Sequence, residues 1–288
     1  MIRDNRLAVI VDGSSLIYRA FFAYRDMKSP DDKPVGALFG FCSMLISLIR
    51  NHECFMFCVA MDSGRKTFRS DIYSEYKAHR PPMPEDLREQ IPLLGDACDA
   101  LGVTTVQKTA FEADDLIATF SQSMSAEQIK TRIVGVDKDL MQLINDKVHM
   151  YNPVKSQMIY SNDVVEKFGV LPHQMTSFQA IVGDASDNIP GIKGIGPVNA
   201  TKLLKEYGSL HGIYENIHSI LPIKIREKLT NCRDNAELSL KLATLDKHVE
   251  LDIKHDDLYV KQNYDVAADF LSTFGFQSLI KKLSGIQL

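Results

Sequence analysis

The stretch LAVIVDG, residues 7 to 13, predicts the centre of the fold, because five apolar residues, most of them β-branched, run unbroken up to Asp12. Two more apolar runs end in acids, CFMFCVAMD at Asp62 and TRIVGVDKD at Asp137 and Asp139. Unbroken apolar runs of this kind are typical of strands that are buried on both faces, as in a parallel sheet. Because helical patterns separate the runs, the sequence predicts an α/β fold with a mostly parallel central sheet flanked by helices.

The helical patterns indicate two parts of the chain. Those that alternate with the strand-like runs lie at residues 36–51, 84–102 and 112–124. After about residue 172 the chain becomes mainly helical, up to a closing helix pair at residues 265–283 that breaks at Gly275. We therefore expect an α/β core at residues 1–172 and a helical subdomain at residues 173–288.

The composition is that of an ordinary globular protein. The chain has 288 residues, of which 45% are hydrophobic and 24% are charged. The longest apolar run, CFMFCVAM, is far too short to span a membrane, and the run at residues 7–11 is too short for the core of a signal peptide. We therefore expect a cytoplasmic protein.

Nine acidic residues stand at or near the ends of the predicted elements. They are Asp12, Asp62, Asp137 and Asp139 at strand ends, Glu112, Asp114 and Asp115 at a helix start, and Asp184 and Asp187 one helical turn apart. In open α/β sheets, sites form at the carboxyl edge of the strands, where the first four of these acids would lie. Two like charges ~4 Å apart repel by about 4 kcal/mol at an effective dielectric constant near 20, so such a cluster needs a counter-charge.

Divalent metal is the counter-charge that these ligands favour. Carboxylate oxygens favour Mg²⁺ or Mn²⁺ over zinc, and two ions ~3.5–4 Å apart are a recurrent device for phosphodiester hydrolysis. Lys138 stands within the set, but in an extended segment its side chain would point away from Asp137 and Asp139. On this interpretation, Asp115→Asn raises the melting temperature in chelator, because it relieves repulsion. The alternative is that acids in the first turn only stabilise their helix, by about 0.3–1 kcal/mol.

The charge balance favours a polyanionic partner once these acids are set aside. The formal net charge is −4, but without the nine acids 28 Asp and Glu remain against 33 Lys and Arg, a balance of +5. A positive remainder is typical of proteins that bind nucleic acid.

A glycine-rich turn leads into a predicted helix in PGIKGIGPVNATKLLKEYGSL, residues 190 to 210. The glycines permit a tight turn, Pro197 suits the first turn of the helix, and the free N–H groups there can bind a phosphate. The residues that we expect to contact a nucleic-acid backbone are Gly191, Lys193, Gly194, Gly196 and Lys202. A dinucleotide-binding loop would need a preceding strand, which DASDNIP is not. A plain turn between helices remains an alternative.

A basic and aromatic segment, GRKTFRSDIYSEYKAHRPP, directly follows Asp62. Its candidate nucleic-acid contacts are Arg69, Tyr76, Lys77 and Arg80. At helical spacing the last three share one face with Tyr73, where cations would bind phosphates and rings would stack on bases. The alternative is a solvated basic helix whose tyrosines pack on the core.

Together these stretches resemble the 5′–3′ exonuclease of bacterial DNA polymerase I, the bacterial branch of the flap endonuclease family. The resemblance covers essentially the whole chain in order and rests on VDGSSLIYRAFFA, AMDSGRKTFRSDIYSEYKAHRPPMPEDL, FEADDLIATF, VGVDKDLMQLI and IVGDASDNIPGIKGIGPVNATKLL. It implies a PIN-like nuclease core, a helical arch around residues 65–92, and a DNA-binding helix–three-turn–helix around residues 184–208.

The resemblance also implies a role for each candidate residue. A first Mg²⁺ ion would be surrounded, partly through water, by Asp12, Asp62, Glu112, Asp114, Asp115 and Asp137, and a second would lie at Asp139, Asp184 and Asp187. Lys77 and Arg80 would act on the scissile phosphate, and Arg69 and Tyr76 would contact the 5′ strand. Mn²⁺ would substitute for Mg²⁺, and a K⁺ ion would bind at the glycine-rich turn.

The implied function is cleavage of 5′ flaps and 5′ ends, in RNA-primer removal and DNA repair. The partner would be DNA, as a flap, a nicked or junction duplex or an RNA–DNA primer end, and the protein would be a monomer. It would be either a stand-alone nuclease, with a separate polymerase as partner, or a domain of a longer protein, without polymerase activity of its own.

Two alternatives to this function stay open. One is a PIN-like Mg²⁺-dependent ribonuclease, and the other is a duplex-binding module without catalysis. A phosphatase of the haloacid dehalogenase type is disfavoured, because it needs Asp-x-Asp after the first strand, and here Gly13 and Ser14 follow Asp12.

Overall fold

The computed structural model describes residues 7–51, 56–64, 66–251, 253–261 and 263–284. Arg65, the first residue of the predicted arch, and residues 54 and 55, the start of the second predicted strand, lie outside the described residues. A search of the described residues finds no helix with the length and apolar character to cross a membrane.

Within the described residues, a six-stranded sheet forms the centre of the molecule, in the order β3-β2-β1-β4-β5-β6. The strands are β1 Leu7–Asp12, β2 Met56–Ala60, β3 Thr104–Val106, β4 Lys130–Val134, β5 Val148–Asn152 and β6 Gln157–Ile159. All neighbouring pairs are parallel except β5 and β6. The predicted fold class, a mostly parallel sheet flanked by helices, is confirmed.

Helices cover both faces of the sheet. The helices of the first part are α1 Gly13–Ala23, α2 Gly36–Asn51, α3 Phe68–Ile72, α4 Glu85–Arg88, α5 Ile91–Ala100, α6 Ala113–Ala126 and α7 Ser161–Phe168. Successive residues of β1 point to opposite faces, so Ala8 and Ile10 face a core with α6, whereas Val9 and Val11 face a core with α1, α2 and α5. This explains why the whole apolar run is buried.

The second part of the chain is helical, as the sequence predicts. Its helices are α8 Met175–Val182, α9 Pro197–Tyr207, α10 Leu210–Glu215, α11 Ile223–Asn231, α12 Arg233–Ala243, α13 Tyr264–Thr273 and α14 Gln277–Leu283. The middle of this part is built on α8, which packs against α9 and α12. The closing pair α13 and α14 returns to the first part, where Leu271, Phe276 and Leu279 pack in the same core as α2 and α5.

The segment predicted as an arch differs from the predicted helix. Residues 73–80 form successive turns between α3 and α4 rather than a helix, and Lys77 has a left-handed backbone with φ of 53°. The predicted helix at residues 84–102 is divided into α4 and α5, with Pro92 in the first turn of α5. Tertiary contacts of this segment, described below, outweigh its helical spacing.

Candidate functional site

The carboxyl edge of the sheet brings together acids from three strands. In the register of the sheet, Asp12 stands opposite Ala60, two residues before Asp62. On the other side of β1, β4 ends at Val134, three residues before Asp137. The prediction that these strand ends share one edge is therefore met by the register of β1, β2 and β4.

Asp12 links this edge to α1. Its side chain caps the helix, because Oδ1 accepts a hydrogen bond of 3.0 Å from the backbone N–H of Ser15. A Cβ atom on Gly135 would lie 3.2 Å from Cβ and 3.5 Å from Oδ2 of Asp12. The close approach of the Gly135 backbone thus encloses a carboxylate that is only 3% exposed.

The start of α6 carries three more of the predicted acids to the same edge. Glu112 is its N-cap, and Asp114 and Asp115 lie in its first turn, where the helix dipole favours negative charge. Oδ1 of Asp62 accepts a hydrogen bond of 2.8 Å from the N–H of Ala113, so the end of β2 is tied directly to this helix start.

Four of the acids, Asp12, Asp62, Asp114 and Asp137, are called the edge acids here. Within the part of the chain that the structure describes, no lysine or arginine forms an ion pair with them. Burial, with the charges of Asp137 and Asp62, raises the pKa of Asp12 to about 6. Burial, with the charges of Asp137 and Asp12, raises the pKa of Asp114 well above its usual value. Asp12 and Asp114 thus lie close enough to neighbouring acids for these to disfavour their charged forms.

A second group of the predicted acids is neutralised by basic side chains. Asp115 is fully buried and pairs with Arg69 through two parallel hydrogen bonds of 2.7 Å. Glu112 accepts from Arg69 at 3.2 Å and from Nζ of Lys77 at 2.6 Å. The sequence interpretation did not foresee this compensation, which arises because residues 67–80 lie directly on the start of α6.

Residues 73–80 also dock on the loop that contains Asp187. The N–H of Lys77 donates to the Asp187 carbonyl at 3.0 Å, and Nζ of Lys77 lies 3.5 Å from its carboxylate. Arg80 donates to the same carboxylate at 2.5 Å. The hydroxyl of Tyr76 lies 3.0 Å from Glu112 and 3.2 Å from Asp187. In this conformation both candidate catalytic cations therefore contact acids of the site.

The remaining acids lie beside the start of the helical part. Lys138 pairs with Asp184 at 2.9 Å, so a lysine does lie among the nine acids. The extended backbone predicted for Lys138 is wrong, because β4 ends at Val134 and Lys138 has helical backbone angles, so strand alternation does not apply. Although burial opposes it, the Lys138 hydrogen bond lowers the pKa of Asp184. Burial and the charge of Asp137 raise the pKa of Asp139 to about 7.

The donor chemistry of the edge acids fits a divalent cation. They are all carboxylates, and a bound cation would remove the repulsion that raises the pKa of Asp12 and Asp114. Among the residues that the structure describes, no three acids are arranged to hold one ion together, so shared ligation requires side chains to turn toward it. Asp115 does not fit such a role in this conformation, because both of its oxygens already accept hydrogen bonds.

The glycine-rich turn lies at the start of α9. Gly196 is the N-cap and Pro197 the first residue of this helix, as predicted. Lys193, Gly194, Gly196 and Lys202 are exposed, whereas Gly191 is buried against Gly183. Nζ of Lys228 on α11 donates to the Gly194 carbonyl at 2.7 Å. The turn therefore presents an exposed helix start with cations beside it.

Three predicted DNA contacts need correction on position. The first is Gly191, which is buried and donates its N–H to Oγ of Ser239 at 3.0 Å. Arg69 is 1% exposed and Tyr76 is 7% exposed, and both direct their polar atoms at acids, so neither can reach DNA in this conformation. The sequence also missed Gln179, whose amide donates to Asp139 at 2.5 Å. No local pattern marks Gln179, because the contact joins α8 to a loop 40 residues earlier.

Comparison with known proteins agrees with this architecture. Residues 7–169 match the family model of the 5′–3′ exonuclease N-terminal resolvase-like domain, and residues 170–265 match that of the 5′–3′ exonuclease C-terminal SAM fold. The chain is 34% identical over 278 residues to a 5′–3′ exonuclease of Aquifex aeolicus, a match that covers 96% of this chain and 95% of the relative.

Polymerase relatives and a solved structure extend this comparison. The chain is 40% identical over 284 residues to DNA polymerase I of Rhizobium leguminosarum, covering 96% of this chain but only 28% of that relative. A structure of the bacteriophage T5 D15 flap endonuclease, in a pseudo-enzyme-product complex with DNA and metal ions, shares the fold. The match has a TM-score of 0.69 at 24% identity and covers 98% of each chain. The resemblance predicted from the sequence motifs is thus confirmed, and the chain belongs to the 5′–3′ exonuclease family.

Proposed function

We propose that the protein is a structure-specific 5′ nuclease that cleaves DNA at 5′ ends and at the base of 5′ flaps. The observation that carries the proposal is the set of edge acids, which β1, β2, β4 and α6 bring to one edge of the sheet. Membership of the 5′–3′ exonuclease family supports it, as does the fold shared with a flap endonuclease that was solved with DNA and metal ions. RNA-primer removal and DNA repair in the cytoplasm are the settings that polymerase I relatives suggest.

Divalent cations are part of this proposal, with Mg²⁺ preferred and Mn²⁺ as a substitute. The edge acids would hold one ion, with Glu112 beside them, and Asp139, Asp184 and Asp187 would hold a second. Bound there, the ions would supply Lewis-acid stabilisation of the charge that develops on the phosphate and the leaving oxygen. Asp115 is omitted from this set because it is fully buried and each of its oxygens already accepts two hydrogen bonds, from Arg69 and from a backbone N–H group.

Lys77 and Arg80 are the chain's own groups for the scissile phosphate. In the structure they pair with Glu112 and Asp187. A phosphate that enters the site offers the two cations charge-assisted hydrogen bonds in place of those to the carboxylates. Divalent cations bound at the acids would compensate the charge that the carboxylates then leave unpaired. We propose that substrate binding exchanges these partners, and that the two cations then orient the phosphate and stabilise its charge.

The helix start at Gly196 is the proposed site for duplex backbone. It combines the positive end of α9, at the exposed residues 196–198, with Lys193 and Lys202, a combination that binds phosphate without reading bases. The K⁺ ion implied at this turn stays a prediction, and the ammonium of Lys228 already donates to the Gly194 carbonyl there.

The first test is cleavage of a 5′-labelled double-flap DNA in Mg²⁺ and, separately, in EDTA. We expect metal-dependent cutting near the junction. Asp114→Asn should lower the rate by about 100-fold or more and leave flap binding in EDTA intact, because it removes an edge acid. The matched control is Asp265→Asn, an exposed acid in the first turn of α13, which should cut at the wild-type rate.

The outcomes separate the alternatives. Preference for single-stranded RNA over flap DNA would support a PIN-like ribonuclease instead. Tight flap binding without any cutting would indicate a duplex-binding module without catalysis. Cutting by Asp114→Asn at the wild-type rate would contradict the assignment of the edge acids.

A further inference from the structure

We propose that Arg69 is a positioning residue, and that the Arg69–Asp115 ion pair holds the acidic start of α6 in place without binding metal or DNA. The inference rests on the proposed nuclease function for the reaction that it serves. It departs from the roles that the sequence interpretation assigned to both residues.

Arg69 has no donor left for a phosphate. A guanidinium has five N–H donors, and here five acceptors surround it. They are the carbonyls of Leu242 at 2.9 Å and Thr244 at 3.0 Å, one oxygen of Glu112 at 3.2 Å, and both oxygens of Asp115 at 2.7 Å. With 1% exposure, Arg69 is a fully satisfied buried cation.

Asp115 is saturated in the same way. An ionised carboxylate offers about four acceptor positions. Oδ1 accepts from Arg69 and from the N–H of Asp246 at 2.9 Å, and Oδ2 accepts from Arg69 and from the N–H of Glu112 at 3.2 Å. A metal ion could use Asp115 only by displacing one of these bonds in a site that is closed to solvent.

The ion pair joins three segments that are distant in the sequence. Arg69 belongs to α3, directly before the turns that carry Lys77 and Arg80. Asp115 belongs to α6, beside Asp114. Glu112 is bound by both members of the ion pair, since Arg69 donates to its carboxylate and Asp115 accepts from its N–H. The carbonyls and the N–H of residues 242–246 bind it from the end of α12. One buried contact thus sets the position of the α6 acids relative to the cations of residues 73–80.

The first test is a double-mutant cycle in EDTA, with the melting temperature as the readout. Arg69→Gln and Asp115→Asn should each lower it by about 5–10 °C, because each leaves a buried charge without its partner. The melting temperature of the double variant should fall by clearly less than the sum of the two single decreases. The control is Arg233→Gln, which removes an exposed arginine from an ion pair with Glu237. It should change the melting temperature by less than about 2 °C.

The second test separates positioning from mere stability. Arg69→Lys keeps the positive charge but loses the bidentate hydrogen bonding to Asp115. Because the buried charge pair is kept, this variant should fold even if Arg69→Gln does not. We expect its kcat on flap DNA to fall about 10-fold or more, with KM and flap binding in EDTA within about twofold of wild type. An activity per folded molecule equal to wild type would overturn the positioning role.

The cycle also distinguishes this inference from the proposed function. Strictly additive losses would contradict the coupling of Arg69 to Asp115. A higher melting temperature for Asp115→Asn would also contradict the ion pair, and would indicate that Asp115 is repelled by the neighbouring acids. If the wild type fails to cut flap DNA, the proposed function fails, but the melting cycle in EDTA still decides whether Arg69 and Asp115 act together.

Discussion

Lys77 shows how a single residue can report on the state of the site. Its ammonium lies 2.6 Å from Glu112 and 3.5 Å from Asp187, and its backbone is held in the left-handed region by the hydrogen bond to the Asp187 carbonyl. Burial alone would lower the pKa of Lys77, but the charge of Glu112 raises it, so the side chain stays charged. A divalent cation at these acids would compete with that charge.

Lys77→Met should therefore strengthen Mg²⁺ binding in the absence of DNA by about 10-fold, while flap cleavage is lost. Removing one ammonium within 4 Å of two carboxylates is enough for a change of this size, about 1.4 kcal/mol. Isothermal titration calorimetry with Mg²⁺ measures it. Lys77→Arg keeps the charge and is the control; an unchanged affinity in Lys77→Met would show that Lys77 and Mg²⁺ do not compete.

At this scale the sequence predicts which residue types assemble but not how they pair. Seven of the nine acids can be found because they follow a predicted strand or begin a predicted helix, and Asp184 and Asp187 can be found from their spacing of one helical turn. The partner of Asp115 cannot be found in this way, because Arg69 lies 46 residues away and meets it only after α3 packs on α6. The backbone of Lys138 was misassigned for a local reason, since β4 ends four residues before it and Lys138 already has helical backbone angles.

The glycine-rich turn provides the test at the scale of an element. A Cβ on Gly191 would lie 2.4 Å from the backbone N and 2.7 Å from Cα of Gly183, and φ is 64°. Gly191→Ala should therefore cost about 2 kcal/mol or more, through both clash and backbone strain. Gly196→Ala meets nothing within 4 Å and is the matched control, expected to change stability by about 1 kcal/mol or less.

Urea unfolding of both glycine variants measures these costs. Equal stability of Gly191→Ala and wild type would contradict the close packing of the turn on the end of α8. A large loss in Gly196→Ala would mean that the exposed side of the turn is packed against something else.

Elements with strong periodicity were predictable, and short ones were not. The pattern at residues 36–51 coincides with α2, and the apolar runs coincide with β1, β2 and β4 where the structure describes them. The strands β3 and β6 were missed because they are only three residues long, and β5 because polar residues interrupt its apolar ones. The arch was misread because its turns are set by contacts with Glu112 and Asp187, which no local pattern contains.

At the scale of the whole molecule, the packing of α13 and α14 on the first part of the chain should contribute to the stability of the sheet core. Leu271 on α13 is fully buried among residues of α2, α5 and the sheet. Leu271→Ala should lower the free energy of unfolding by about 2–5 kcal/mol. Because the closing helices share a core with the first part, the unfolding transition of the sheet core should shift to lower urea together with that of the helices. Val266→Ala, on the same helix but 49% exposed, should be nearly neutral.

Urea unfolding followed by far-ultraviolet circular dichroism measures both variants. A transition of the core that stays unchanged while the closing helices melt separately would contradict this packing. The sequence predicts the closing helix pair itself and assigns it to the helical subdomain. The structure packs the pair on α2 and α5 instead, through tertiary contacts that no local pattern indicates.

The return of the last helices also bears on how the protein is made. A ribosome delivers the sheet and the helices α1 to α5 first, yet the apolar surface of α2 and α5 is covered in part by residues 267–283, which leave the exit tunnel much later. The nascent core must wait with that apolar surface open to solvent, where it is a target for chaperones and for association with other chains. Completion of this α/β unit therefore waits until residues 267–283 have been made.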